Sequence, residues 1–141
     1  MDINYKNHEG YSDPTAFHAI RSAVHCGHDK TVVYHAPEKV YICSPYRGDI
    51  EINIANARRY CRIAYDSGKL PIAPHLYFPQ FLDDDNEAER RVGISLGLEA
   101  LRLCSEIWVC GGTVTQGMAY EITEAKRLGI RIRYIESEGI L

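Results

Sequence analysis

The amino-acid sequence predicts a doubly wound α/β domain with a mainly parallel sheet, preceded by an N-terminal helical extension. Two observations carry this prediction. From Val40 onward four short apolar runs alternate with stretches of helical periodicity, and strands that alternate with helices pair in parallel through right-handed crossovers. A length of 141 residues with 45% hydrophobic content suits one core, so a second large domain is not expected.

Residues 1–39 read as the extension. Ser12-Asp13-Pro14 offers a cap at Asp13 and proline at the first helical position, and Phe17, Ile20, Ala23 and Val24 then recur helically until Gly27. Thr31-Val32-Val33-Tyr34 fits either a short strand or a connector, and Ala36-Pro37 breaks it from the domain of residues 40–141. Within that domain Val40–Cys43, Leu70–Ala73, Ile107–Cys110 and Ile130–Ile135 read as strands. Ile50, Ile54, Ala57, Cys61, Ala64 and Tyr65 share one face of a helix that stops at Ser67-Gly68. A second helix is expected from about Glu87 to Leu103, capped by Asp84 or Asp85. In the third, Met118, Ile122, Ala125 and Leu128 form the apolar face while Tyr120, Thr123, Glu124 and Arg127 face water.

Composition narrows the function. A formal charge of −3 and a pI near 6.1 give no basic excess, which argues against a nucleic-acid polymer or an anionic membrane and for a small-molecule ligand. No apolar run approaches the roughly 20 residues that span a bilayer, and the polar start Met1–Lys6 is unlike a signal peptide, so a cytoplasmic protein is expected. The five cysteines contain no CxxC pair and read as reduced, mostly buried thiols. No metal is expected: His25-Cys26-Gly27-His28 fits no zinc spacing, and Asp83-Asp84-Asp85-Asn86 lacks the later glycine and glutamate of a calcium loop. No cofactor is expected either, the GxGxxG and P-loop spacings being missing, and no serine nucleophile elbow is present.

In doubly wound sheets ligands bind beyond the carboxyl ends of the strands. The loop Cys43-Ser44-Pro45-Tyr46-Arg47-Gly48 offers amides, a hydroxyl and a guanidinium suited to phosphate or ribose oxygens, though by itself it reads equally as an ordinary turn. The next loop, His75 to Phe81, is aromatic; it fits the wall of a base pocket, a core element or an oligomer contact. The third, Gly111 to Gly117, delivers small residues and the hydroxyl of Thr115 to the start of the third helix, where a bare backbone lets a ligand come close. Glu121 then falls inside that helix's apolar face. A carboxylate in such a place either caps amides of its own helix, pairs with an arginine, or does chemistry.

Together Tyr41–Gly48, Pro71-Ile72-Ala73-Pro74-His75 and Thr115–Glu121 resemble the nucleoside 2-deoxyribosyltransferase-like superfamily over residues 40–135. Small phage and prophage members share the Asn7–Tyr11 and Asp13–Ala16 start, and characterised relatives include 2′-deoxynucleoside 5′-phosphate N-hydrolases. The resemblance implies a Rossmann-like or flavodoxin-like sheet, a nucleoside or nucleotide ligand and a homo-oligomer whose neighbour often completes the pocket. It implies that Glu121 attacks the anomeric carbon and that the loop from Ser44 to Gly48 holds sugar and phosphate; Cys43, His75, Thr115, Gly117 and Met118 complete the set of ligand-binding candidates at the strand ends. The relatives also carry an aspartate in the preceding helix that assists the departing base. Here Leu98 stands at or near that place, and Glu99 substitutes only if the register differs by one. Two functions follow from the likeness: cleavage or exchange of the N-glycosidic bond of a nucleoside, nucleotide or ADP-ribose-like compound, or a non-catalytic phage sponge for a nucleotide immune signal of the cyclic ADP-ribose or cyclic oligonucleotide type.

Overall fold

A computed structural model describes residues 36–136. The helix expected between Asp13 and Gly27, the Thr31–Tyr34 segment and the His25–His28 cluster lie outside the described residues. In chain order the elements are β1 (Lys39–Cys43), α1 (Ile50–Asp66), β2 (Leu70–Ile72), α2 (Pro74–Tyr77) running into a 3₁₀ turn (Phe78–Gln80), α3 (Glu87–Arg102), β3 (Glu106–Cys110), α4 (Gln116–Leu128) and β4 (Arg131–Ile135). The four strands form one parallel sheet in the order β2-β1-β3-β4.

Strand alternation sends neighbouring side chains to opposite faces, and here both faces are covered. Val40, Ile42, Trp108 and Cys110 meet Tyr60 and Ala64 of α1 on one side. Tyr41, Cys43, Ile107 and Val109 meet Leu101 of α3 with Met118, Ile122 and Ala125 of α4 on the other. The chain thus leaves β1 through α1 toward β2 and returns to the far side of β1 for β3. That reversal puts a topological switch point between the carboxyl ends of β1 and β3, where their following loops diverge and open a crevice.

Local chemistry explains the boundaries, with three departures from expectation. The buried stripe of α1 is Ala57, Tyr60 and Ala64, whereas Ile50 and Tyr65 are exposed at 44% and 64%; the sheet meets this helix about one residue round from the stripe of aliphatic residues. The cap of α3 is Asn86, whose side chain accepts from the amides of Ala88 and Glu89 at 3.0 and 3.2 Å, so neither Asp84 nor Asp85 has that role. Asp84 is drawn instead to Arg47. The third departure is the stretch after β2: it is not an open loop, because Pro74 and Pro79 start successive helical turns. The capping of α4 is conventional, with Thr115 accepting from the Met118 amide at 3.3 Å and Gly129 closing the other end at φ +69°.

Candidate active site

The crevice at the switch point is a cleft of about 400 Å³. Eight of the residues singled out in the sequence line it: Ser44, Tyr46 and Arg47 from the loop after β1, His75 from α2, and Thr115, Gly117, Met118 and Glu121 from the cap and first turns of α4. The other three are placed differently. Cys43 is fully buried beneath the floor. Pro45 packs toward Gly111, whose positive φ and missing side chain let the two strand-end loops approach. Gly48 turns the chain at φ +99° and faces a shallower hollow beside the cleft.

Among the described residues Glu121 neither caps its own helix nor pairs with an arginine. Its Oε1 accepts a 2.8 Å hydrogen bond from the hydroxyl of Tyr41, which rises from β1 with no exposed surface. The Cys43 thiol lies against the same carboxylate and against the Met118 carbonyl at 3.9 Å. Burial raises the Glu121 pKa, and the bonds from Cys43 and Tyr41 oppose that rise without cancelling it. Glu121 stands in the second turn of α4, past the reach of most of the helix-end field, which is why burial prevails. Burial also raises the pKa of the Tyr41 phenol and the Cys43 thiol, as does the neighbouring carboxylate, so both remain protonated donors.

A second polar pair faces the same space. Ser44 Oγ lies 2.9 Å from His75 Nε2, and burial pushes the imidazole pKa down to about 4. The ring is therefore neutral at pH 7. In one tautomer Ser44 donates to Nε2, leaving oxygen lone pairs for a sugar hydroxyl; in the other Nε2–H donates and frees the serine proton for a ligand. The Ser44 loop is held from behind by Asn53 of α1, whose amide donates to the carbonyls of Tyr46 and Arg47 at 3.0 and 2.9 Å.

Arg47 does line the cleft, but its guanidinium is already engaged: Nε reaches Asp84 Oδ2 and Nη2 reaches the Asp84 carbonyl, each at 2.6 Å. The α3 face also differs from the sequence reading. Gly93, Ile94 and Gly97 face the cleft at spacings of one, three and four, together with Arg90. Leu98, one residue on, packs against the core, and Glu99 points to solvent with Arg102 at 2.5 Å. Glu99 is therefore no substitute for an acid in the cleft, and a Cβ built at Gly97 would stand 3.3 Å from the Tyr41 hydroxyl.

Sequence reasoning passes over Tyr41 as a partner for Glu121, and Arg90 and Gly97 as cleft residues. In the sequence Tyr41 looks like one more apolar strand position. The alternation that puts it on the α4 face with Cys43 is the available signal.

Comparisons with known proteins bear on the fold. A 2-deoxyribosyltransferase from Bacillus psychrosaccharolyticus aligns with a TM-score of 0.60 and 16% identity over 73% of this chain and 75% of its own. One from Leishmania mexicana aligns with a TM-score of 0.51 and 17% identity over 72% of this chain and 66% of its own. At such identities the likeness speaks for the fold, which is that of the nucleoside 2-deoxyribosyltransferases. No curated protein matches the sequence. Residues 38–135 match the family described as a domain of unknown function (DUF7768), and the chain belongs to that family.

Proposed function

We propose that the protein cleaves or exchanges the N-glycosidic bond of a nucleoside-class ligand, with Glu121 as nucleophile. The observation that carries this is a carboxylate at the floor of the switch-point cleft, without a cation among the described residues and held by the Tyr41 hydroxyl at 2.8 Å. Such a group suits a carbon that gathers positive charge as its bond to nitrogen breaks. A Glu121 oxygen forms a bond to the anomeric carbon, the carbon–nitrogen bond breaks with its electron pair going to the base, and the base takes a proton from solvent. Water or a second base then attacks the same carbon, loses its proton, and returns the electron pair to the carboxylate. Tyr41 orients the reacting oxygens, while Ser44 and neutral His75 suit sugar hydroxyls. A homo-oligomer and a phosphate on the sugar accord with the same reading, the amides at the start of α4 being suited to an anion.

A binding-only role is favoured by one feature. Beside the Tyr41 hydroxyl α3 presents Gly97, and its cleft-lining carboxylate, Glu89, stands about two turns away and is bonded to the Asp83 amide, so among the described residues α3 offers no carboxylic acid next to Glu121 to protonate the departing base. That reading makes the protein a sponge for a nucleotide signal, with Glu121 a contact. Incubating the protein with deoxynucleosides, their 5′-monophosphates, NAD and cyclic nucleotides, then analysing supernatant and heat-released material by mass spectrometry, separates the two. Free base that disappears with Glu121→Gln is the expected result. An intact compound released only on heating overturns the catalytic reading in favour of sequestration.

A further inference from the structure

Apolar residues from two elements line the cleft: Phe78, Pro79 and Leu82 from the stretch after β2, and Gly93 and Ile94 from α3. Gly93 lies under Leu82, where an added Cβ would stand 3.6 Å from Cδ1, so these two residues meet at the edge of the slot. Arg90, one turn earlier on α3, lines the same cleft, half-buried and, among the described residues, in no ion pair or side-chain hydrogen bond. Its neighbour Glu89 is occupied by the Asp83 amide at 2.6 Å, and Arg47 by Asp84. The Arg90 guanidinium is therefore available to a planar acceptor edge on a ligand.

Gly97, which lies beside the Tyr41 hydroxyl, is seven positions on from Arg90; at a rise of about 1.5 Å per residue that is about 10 Å along α3. A flat base extending from an anomeric carbon at Glu121, together with the reach of an arginine side chain, fills this interval. Charge selects among acceptors. Asp83, Asp84 and Glu89 line the cleft against Arg47 and Arg90, an excess of carboxylates that opposes a phosphate dianion beside Arg90 and tolerates a neutral acceptor edge.

We propose that this apolar slot is the base subsite and that Arg90 determines base choice by donating two hydrogen bonds to the O6/N7 edge of a 6-oxopurine. Adenine presents a donor at the corresponding exocyclic position and is disfavoured. The inference rests on the nucleoside reading of Glu121, and the test keeps the two apart.

Binding of deoxyguanosine, deoxyinosine, deoxyadenosine, 7-deazadeoxyguanosine and deoxyguanosine monophosphate is measured by calorimetry on the wild-type chain, Arg90→Ala and Arg90→Lys. The expected result is a preference of about tenfold to a hundredfold for the 6-oxopurines over deoxyadenosine, the range of one bidentate pair. Arg90→Ala abolishes it, Arg90→Lys restores little of it, and the 7-deaza compound binds weakly to the wild type only. A wild type without base preference, a preference that survives Arg90→Ala, or a loss confined to the monophosphate overturns the assignment. Selective binding without base release under any condition leaves the subsite standing and removes the catalytic reading. No binding of any deoxynucleoside removes both.

Discussion

Replacing Tyr41 with phenylalanine removes one oxygen and tests the central pair of the cleft. The phenol donates to Glu121 at 2.8 Å from a fully buried ring, so the variant keeps the packing and loses the hydrogen bond. A bond to a charged group is worth about 1.5–3 kcal/mol and one between neutral groups about 0.5–1.5 kcal/mol. The cost of Tyr41→Phe therefore grows by about 1 kcal/mol as Glu121 ionises. The sign follows from the Glu121 pKa, which lies above its unfolded value because of burial. Its contribution is fully present below the unfolded pKa and is lost as pH rises through the folded one, and removing the Tyr41 hydroxyl deepens that loss by pushing the pKa further up. Urea denaturation at a series of pH values from 4 to 8 measures the cost. In a Glu121→Gln background the cost should be flat with pH, since the amide has no charge to titrate. A cost that is independent of pH in the wild-type background, or equally pH-dependent in the Glu121→Gln background, refutes the argument that the phenol supports the ionised carboxylate.

The remaining predictions concern groups around that pair. His75 has its pKa depressed by burial to about 4, so its stabilising contribution is present above the unfolded value and lost as pH falls toward 4; that loss is at most about 3 kcal/mol, and His75→Gln should flatten the acid limb of a stability curve. Thr115→Ala removes the acceptor for the Met118 amide and should cost about 1 kcal/mol in chemical denaturation, while Thr115→Ser retains most of it. Arg47 and Asp84 form a half-exposed pair; a double-mutant cycle on it should return at most about 1 kcal/mol and decline with added salt.

The parts of this fold that follow a period are open to sequence reading, and the parts set by a meeting of distant elements are not. Four strands and three long helices follow from apolar runs, Gly68 and Gly129, because burial on both faces of a parallel sheet demands them. Placing the site at the strand ends follows from topology alone, which is how Ser44, His75 and Glu121 come together. The limits lie where two partners are far apart in the chain. Asp84 reads as a cap because helices need caps, yet Asn86 is two residues nearer the helix start and the guanidinium of Arg47, 37 positions away, claims Asp84. Tyr41 and Glu121 are 80 positions apart, and nothing local marks a buried tyrosine as the donor to a particular carboxylate. The α3 register differs from expectation by a single residue: Leu98 and Gly97 are neighbours in sequence but about 100° apart around the helix, enough to move one from core to cleft.

Two glycines inside α3 bring the physical argument to a point. Glycine in a helix interior is less favourable than alanine by about 0.5–1 kcal/mol, and Gly93 and Gly97 both sit in the body of this helix on its cleft side. At Gly97 the packing gives a reason, because a Cβ there would stand 3.3 Å from the Tyr41 hydroxyl and disturb its bond to Glu121. At Gly93 it does not: a Cβ would meet Leu82 at 3.6 Å, an ordinary contact that alanine tolerates. Gly93→Ala should therefore raise stability by about 0.5–1 kcal/mol, several degrees in the melting temperature of a domain this size. If the α3 face is a surface for a ligand, the same methyl group narrows the slot and weakens binding, so stability and affinity move in opposite directions. Gly97→Ala should lose both. A Gly93→Ala variant that is more stable and binds as well as the parent would show that the slot beside Gly93 is not where a ligand lies.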